Sequence, residues 1–263
     1  MNTSLFSQSL MAVDLKRAVE LTAATGYDAI EIGCFGPHLT LDRYESRIDE
    51  VRSWLQEAGL AVSALSLSVS YTSQVDAEWR DNVDQTCRFI RLCRAFDTRI
   101  VKMMPGRPGS AEATESHWDR FRQAMDEIVA VAREEEVRLA LETHLRHLSD
   151  AIEATARCLD CGDPDVLGVN LDFCNVRTCG GDPADAIDRF RDRIVLTHVK
   201  DSLFTTDSGK YVPLGEGKMD YGPVMAGLDA AGYDGYLSVE CLYQDPEAWI
   251  AHDLRVLRGW LSQ

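Results

Sequence analysis

Two rhythms of apolar and polar residues alternate along this chain. Short apolar runs are followed by longer stretches whose apolar positions recur three and four residues apart. The first kind reads as buried parallel strands, the second as amphipathic helices laid against them. Strands are expected at 5–9, 28–33, 60–69, 99–104, 137–143, 167–173, 194–200 and 235–240. Helices are expected at 14–25, 43–58, 76–96, 115–135, 149–161, 183–190, 221–231 and 246–261. Asp14 is placed to cap the first helix, Gly26 and Gly59 to stop the first two, and Pro105-Gly106 to end the fourth strand.

Eight such strand–helix units in 263 residues fit a closed (β/α)8 barrel better than an open sheet. An open doubly wound sheet would carry a glycine-rich phosphate turn after its first strand, and that turn has no glycine. No change of composition marks a linker. The expected architecture is therefore a single α/β domain, a (β/α)8 TIM barrel over residues 1–263.

In a barrel, alternate strand residues face the interior, and the chemistry gathers at the C-terminal strand ends. In the fifth strand Leu139 and Leu141 share one face, while Ala140 and Glu142, with His144 beyond, share the other. The sixth strand turns Val169 and Leu171 outward and Asn170 and Asp172 inward. The seventh sets Leu196, His198 and Lys200 opposite Val195, Thr197 and Val199. The eighth sets Ser238 and Glu240 opposite Leu237 and Val239, and the second turns Glu31 inward between Ile30 and Ile32. Four consecutive strands thus end with Glu142, Asp172, His198 and Glu240 aimed into one space. Singly, each could be a loop cap, an ion-pair partner or a bonded core histidine. Together, three buried carboxylates demand a counter-charge, and one divalent metal ion supplies it. An oxygen-rich set with one imidazole suits Mn2+ or Mg2+ ahead of Co2+ or Zn2+.

Composition narrows the partners. With 27 Lys and Arg against 43 Asp and Glu, the formal charge of −16 repels phosphate backbones and anionic lipid, so neither nucleic acid nor a membrane is an expected partner. The first residues lack a basic start and a long apolar run, which reads as cytoplasmic. Most of the eight cysteines read as buried thiols. Cys158-x-x-Cys161 stands alone, whereas a zinc ribbon needs two such pairs.

The stretches Tyr27-Asp28-Ala29-Ile30-Glu31, Leu141-Glu142-Thr143-His144, Asn170-Leu171-Asp172, His198-Val199-Lys200-Asp201, Pro213-Leu214-Gly215-Glu216-Gly217 and Leu237-Ser238-Val239-Glu240 carry a resemblance. The chain resembles the xylose isomerase-like TIM-barrel superfamily, the sugar phosphate isomerase/epimerase group. The resemblance implies that Glu142, Asp172, His198 and Glu240 bind one divalent metal and that Glu142 and Glu240 move the substrate proton. Many relatives have a histidine three residues after the strand-six aspartate; Asn175 stands there in this chain. Relatives are often homo-oligomers.

The expected activity is metal-dependent isomerisation or epimerisation of a small sugar or keto-polyol. The ion's charge would stabilise the enediolate formed when the α proton leaves. The alternative on the same platform is a lyase, a dehydratase of a keto-sugar or keto-inositol. A multi-zinc phosphodiesterase would need many histidines at one site, and of the six in the chain about three could reach the pocket. A non-enzymatic binding protein stays open. His144, Lys200, Asn175 and Glu31 are the expected substrate contacts. For Lys200 an internal ion pair, for His144 a role orienting Glu142, and for Glu31 a salt bridge are the alternatives. Phe6, His38 and Trp118 are candidates for the mouth, and Arg107 and Lys102 for a phosphate. The Gly215-Glu216-Gly217 loop reads as a lid or a tight turn.

Overall fold

The computed structural model describes residues 1–204, 210–243 and 245–262. Eight parallel strands close a barrel in the order β1–β10–β7–β6–β5–β4–β3–β2. They are β1 (Asn2–Phe6), β2 (Ala29–Gly33), β3 (Ala61–Ser66), β4 (Ile100–Met103), β5 (Arg138–Glu142), β6 (Leu167–Asp172), β7 (Ile194–Val199) and β10 (Tyr236–Val239). Two two-residue strands, β8 (Asp201–Ser202) and β9 (Tyr211–Val212), pair antiparallel above the end of β7. Around the barrel lie α1 (Leu15–Thr25), α2 (Leu41–Tyr44), α3 (Ile48–Ala58), α4 (Asp76–Leu92), α5 (Glu115–Glu134), α6 (Ile152–Leu159), α7 (Phe173–Thr178), α8 (Pro183–Phe190), α9 (Tyr221–Ala230) and α10 (Pro246–Leu261).

Local chemistry sets the helix ends. The Asp14 carboxylate accepts from the Arg17 amide at the start of α1, and Gly26 closes it at φ +98°. Gly59 closes α3 in the same left-handed region. The first strand lies earlier than its apolar run suggested: residues 2–6 pair in the barrel, and Ser7–Leu10 form a 3-10 turn. The expected second helix is broken into α2, a 3-10 turn and α3. The six-residue α7 and the β8–β9 pair were not expected from the sequence, and residues 205–209 lie outside the described residues.

Two apolar layers result. The larger lies between strands and helices, where Leu139, Leu141, Val169, Leu171 and Leu237 meet Phe121, Met125, Ile187 and Leu228. The smaller, Ala64, Ala140, Val195 and Leu196 with Ile100 and Tyr236 against them, fills the barrel's lower interior. Above it the interior turns polar. The strand register explains why: Glu142 pairs across from Asn170, Asp172 across from His198, and His198 across from Ser238. Inward residues of successive strands therefore arrive at neighbouring heights. Among the described residues no helix is long and apolar enough to cross a membrane.

Gly168 sits in β6 where the register to β7 slips between Val169 and Asn170. A Cβ there would collide with the Arg193 carbonyl oxygen and the Val195 side chain. A backbone atom cannot swing aside, so Gly168→Ala is expected to destabilise the fold by about 1–3 kcal/mol, the usual range for overpacking. The urea midpoint would fall with an unchanged slope; an unchanged midpoint would show that the strand pair yields.

Candidate metal centre

The barrel's end brings together one oxygen or nitrogen from each of Glu142, Asp172, His198 and Glu240, all within 4.8 Å of one another. All four side chains are buried. Each comes from the inward-facing end of its strand, as the period-two pattern requires.

The histidine is oriented from behind. Its Nε2 donates to both oxygens of Glu31, at 2.9 and 3.0 Å. Glu31 Oε2 also accepts from Ser238 Oγ at 2.6 Å. A carboxylate on Nε2 fixes a proton there and turns Nδ1 toward the cage. Nδ1 lies 3.6 Å from Glu142 Oε1 and 3.8 Å from Glu240 Oε2 and has no hydrogen-bond partner. Asp172 Oδ1 accepts from the Asn175 amide. Its Oδ2 is 2.7 Å from Lys200 Nζ but outside hydrogen-bonding geometry.

Two buried lysines complete the site. Lys102 Nζ donates to Glu142 Oε2 at 2.7 Å. Lys200 Nζ donates to Glu240 Oε2, also at 2.7 Å. Gln8 Nε2 reaches the other Glu240 oxygen at 3.2 Å. Burial alone would raise the carboxyl of Glu142, but Lys102 and His198 beside it hold it well below the usual range. For Glu240 burial is likewise outweighed, by Lys200 and then His198. Asp172 goes the other way: burial, with Glu240 and Glu142 adding, outweighs Lys200 and raises it. Burial opposes the charge on His198, yet Glu31 and Glu142 raise it to about 10.

These observations fit one divalent cation. Two buried donor atoms, His198 Nδ1 and Asp172 Oδ2, lack hydrogen bonds and face the same point. One contact network joins Glu31, Lys102, Glu142, Asp172, His198, Lys200 and Glu240. With the imidazole neutral, its four carboxylates exceed its two ammonium groups by two negative charges. A cation binding there would displace the extra proton from His198.

The remaining expected site residues are placed differently. Glu31 is fully buried behind the imidazole with both oxygens bonded, to His198 and to Ser238, the salt-bridge alternative to its expected substrate contact. Asn175 is also buried: its amide nitrogen donates to the Thr143 carbonyl, and its Oδ1 has no partner. Lys200 lies within the network, its ammonium 5.3 Å from the Tyr211 ring centre. His144 is half-buried, with Nδ1 at the Leu145 carbonyl and the ring edge-on to His147. Lys102, expected as a phosphate candidate, instead belongs to Glu142. Phe6 walls the site, its ring 5.2 Å from that of His198. His38 is fully buried with Nδ1 on Ser7 Oγ, and Trp118 is buried beneath Arg157, so neither lines the mouth. Arg107 is exposed. The Gly215-Glu216-Gly217 loop is a tight turn: Asp201 accepts the amides of Ser202, Gly215, Gly217 and Met219. A Cβ on Gly217 would strike that carboxylate. Gln8 and the pairing role of Lys102 were missed; the inward parity of Lys102 on β4 was the available signal.

A sequence profile of the family described as xylose isomerase-like TIM barrel matches residues 19–260. Over 185 residues the chain is 24% identical to a 3-dehydroshikimate dehydratase of Bacillus anthracis, covering 69% of this chain and 64% of that protein. Over 151 residues it is 27% identical to an inosose dehydratase of Lacticaseibacillus casei, covering 51% of this chain and 49% of that protein. The matched stretches span less than two-thirds of either relative's length. Among solved structures, a D-tagatose 3-epimerase-like protein superposes with a TM-score of 0.85 at 19% identity, covering 100% of this chain and 97% of that one.

Because Glu31 orients His198 and adds negative charge without reaching the cage, Glu31→Gln is expected to weaken Mn2+ binding about 10–100-fold. Calorimetric titration of chelator-treated protein checks this, with circular dichroism to confirm the fold. An unchanged affinity would mean the imidazole needs no partner.

Proposed function

The chain belongs to the xylose isomerase-like TIM-barrel family, and from that premise we propose that it is a divalent-metal-dependent enzyme that removes the proton α to the carbonyl of a small polyhydroxylated ketone and completes the reaction as a dehydratase. The observation that carries the first half is the pair of buried glutamates, Glu142 and Glu240, flanking His198 Nδ1 at 3.6 and 3.8 Å. Both come from the cage and both are held ionised by a lysine at 2.7 Å. A group that accepts a carbon-bound proton must be unprotonated, desolvated and oriented, and each glutamate meets all three conditions. A divalent cation held by the four donors would supply positive charge to the substrate carbonyl and its neighbouring hydroxyl, acidifying the adjacent C–H bond.

The residues divide the work. One glutamate takes the α-hydrogen as a proton, and the C–H electron pair moves toward the carbonyl. The pair returns to expel the β-hydroxyl, which takes a proton from the newly protonated glutamate or from the Lys200 ammonium and leaves as water. Phe6 walls the site next to His198 and helps keep it dry. The two sequence relatives support this fate, since both are named dehydratases. Their named substrates share a six-membered ring bearing a ketone and hydroxyls, and a cyclic polyhydroxylated ketone is the substrate class we assign. A second reading keeps the same first step but returns the proton to carbon, giving an isomerase or epimerase. The placement of the two glutamates on different sides of His198, from β5 and β10, favours it, because inversion needs a proton donor opposite the base.

Proton NMR in deuterated water, with Mn2+ and a panel of keto-inositols, 3-dehydroshikimate and ketoses, separates the two fates. Loss of water with a new alkene signal is the expected result. Deuterium uptake without loss of water would move the assignment to isomerisation, and neither change in metal-loaded protein would overturn both. Glu142→Gln and Glu240→Gln should each lower turnover about 100-fold or more. Near-full activity of either variant with metal still bound would remove that glutamate from proton transfer.

A further inference from the structure

Neither Lys102 nor Lys200 has a role in holding a metal, yet both ammonium groups are buried, at 3% and 4% exposure, within the network around the cage. We propose that these two lysines set the charge of the ion the cage accepts, selecting a divalent over a trivalent cation. The inference rests on reading Glu142, Asp172, His198 and Glu240 as a metal cage.

The physical starting point is the cost of burial. An ammonium ion taken out of water loses several kcal/mol of hydration unless an opposite charge meets it. Each lysine meets one where a neutral donor would satisfy the same hydrogen bond. Lys102 touches Glu142 Oε2, and Lys200 spans Asp172 Oδ2 and Glu240 Oε2, all at 2.7 Å. Every carboxylate of the cage therefore has a lysine on it. Glu31 adds a fourth carboxylate that cannot reach the ion, because His198 stands between. Without the lysines, a bound divalent ion would leave the buried network at two negative charges. With them it becomes neutral, while a trivalent ion would leave one buried positive charge. In so enclosed a site solvent does little to screen that difference.

The prediction is a change of sign that packing alone does not produce. Chelator-treated full-length chain is titrated calorimetrically with MnCl2 and with TbCl3, and the ratio of Tb3+ to Mn2+ affinity is compared among variants. Lys102→Met should raise that ratio at least about tenfold, because one unit of buried positive charge is removed. Lys102→Arg, which keeps the charge, should restore the wild-type ratio. Glu31→Gln, which removes a negative charge, should lower it. If Lys102→Met does not fold, Lys200→Met is read in the same way. An unchanged ratio in the folded Met variant, with Mn2+ still bound by wild type, would overturn the charge-setting role. Wild-type protein that binds no Mn2+ would overturn the cage itself.

Discussion

Three carboxylates lie buried with ligand atoms within 4.8 Å of one another at the C-terminal end of this barrel, a fourth, Glu31, stands behind His198, and their mutual repulsion is the constraint around which the site is built. Like charges at such distances in a poorly hydrated interior cannot all persist unaided. Three kinds of relief are present together. Lys102 and Lys200 bring full positive charges to Glu142, Glu240 and Asp172. The imidazole of His198 bridges Glu31 to the cage. The remaining deficit, two charges, is what one divalent ion would offset. Asp172 shows the deficit most directly, since its carboxyl is pushed toward the protonated form by burial and by its acidic neighbours.

The barrel makes this crowding possible because its lower interior is otherwise conventional. Ala64, Ala140, Val195 and Leu196 fill that end with small and branched apolar groups. The polar layer rests on them and is walled by the strands, whose outer faces meet the helices through apolar contacts. Loops then fix the rim. The Asp201 carboxylate gathers four backbone amides, and Asp253 of α10 accepts the Leu214 amide at 2.9 Å while lying against Cys241, the residue after Glu240. Two further buried carboxylates, both outside the cage, thus hold the segments next to Lys200 and Glu240. Their charge is met by hydrogen-bond donors, most of them backbone amides at Asp201, and neither adds to the demand for a cation.

The four cage residues were legible because strand parity is a local rule. Within one strand, period two decides which residues face inward, and no knowledge of neighbours is needed. The same rule applied to β4 would have turned Lys102 inward; its place as a phosphate candidate rested on residue type instead. Glu31 was correctly turned inward, but its partner lies on β7. That pairing depends on closure of the barrel through β1 and β10, a long-range register that one strand's pattern does not contain. His38 and Trp118 were placed at the mouth on chemistry alone, and burial overruled it. The six-residue α7 is shorter than two helical turns, and the paired strands of the β8–β9 hairpin are two residues each, so neither leaves a readable period.

For the proposed reaction, the cage and its lysines also locate where substrate choice would arise. Glu142, Glu240, His198, Glu31 and the two lysines are committed to one another, so substituting any of them to suit a different ketone would disturb the charge balance before it altered specificity. The segments beyond the strand ends carry no such burden. The stretch after β4 with its exposed Arg107, the turn after β5 with half-buried His144, and the β8–β9 hairpin with Tyr211 near Lys200 all start at cage or network residues and lead away from them. The two relatives at 24% and 27% identity are named dehydratases, and a barrel named epimerase-like shares this fold with a TM-score of 0.85. In the proposed reaction, the fate of the electron pair after proton removal would depend on which hydroxyl is held beside a proton donor, a choice that would fall to these rim segments.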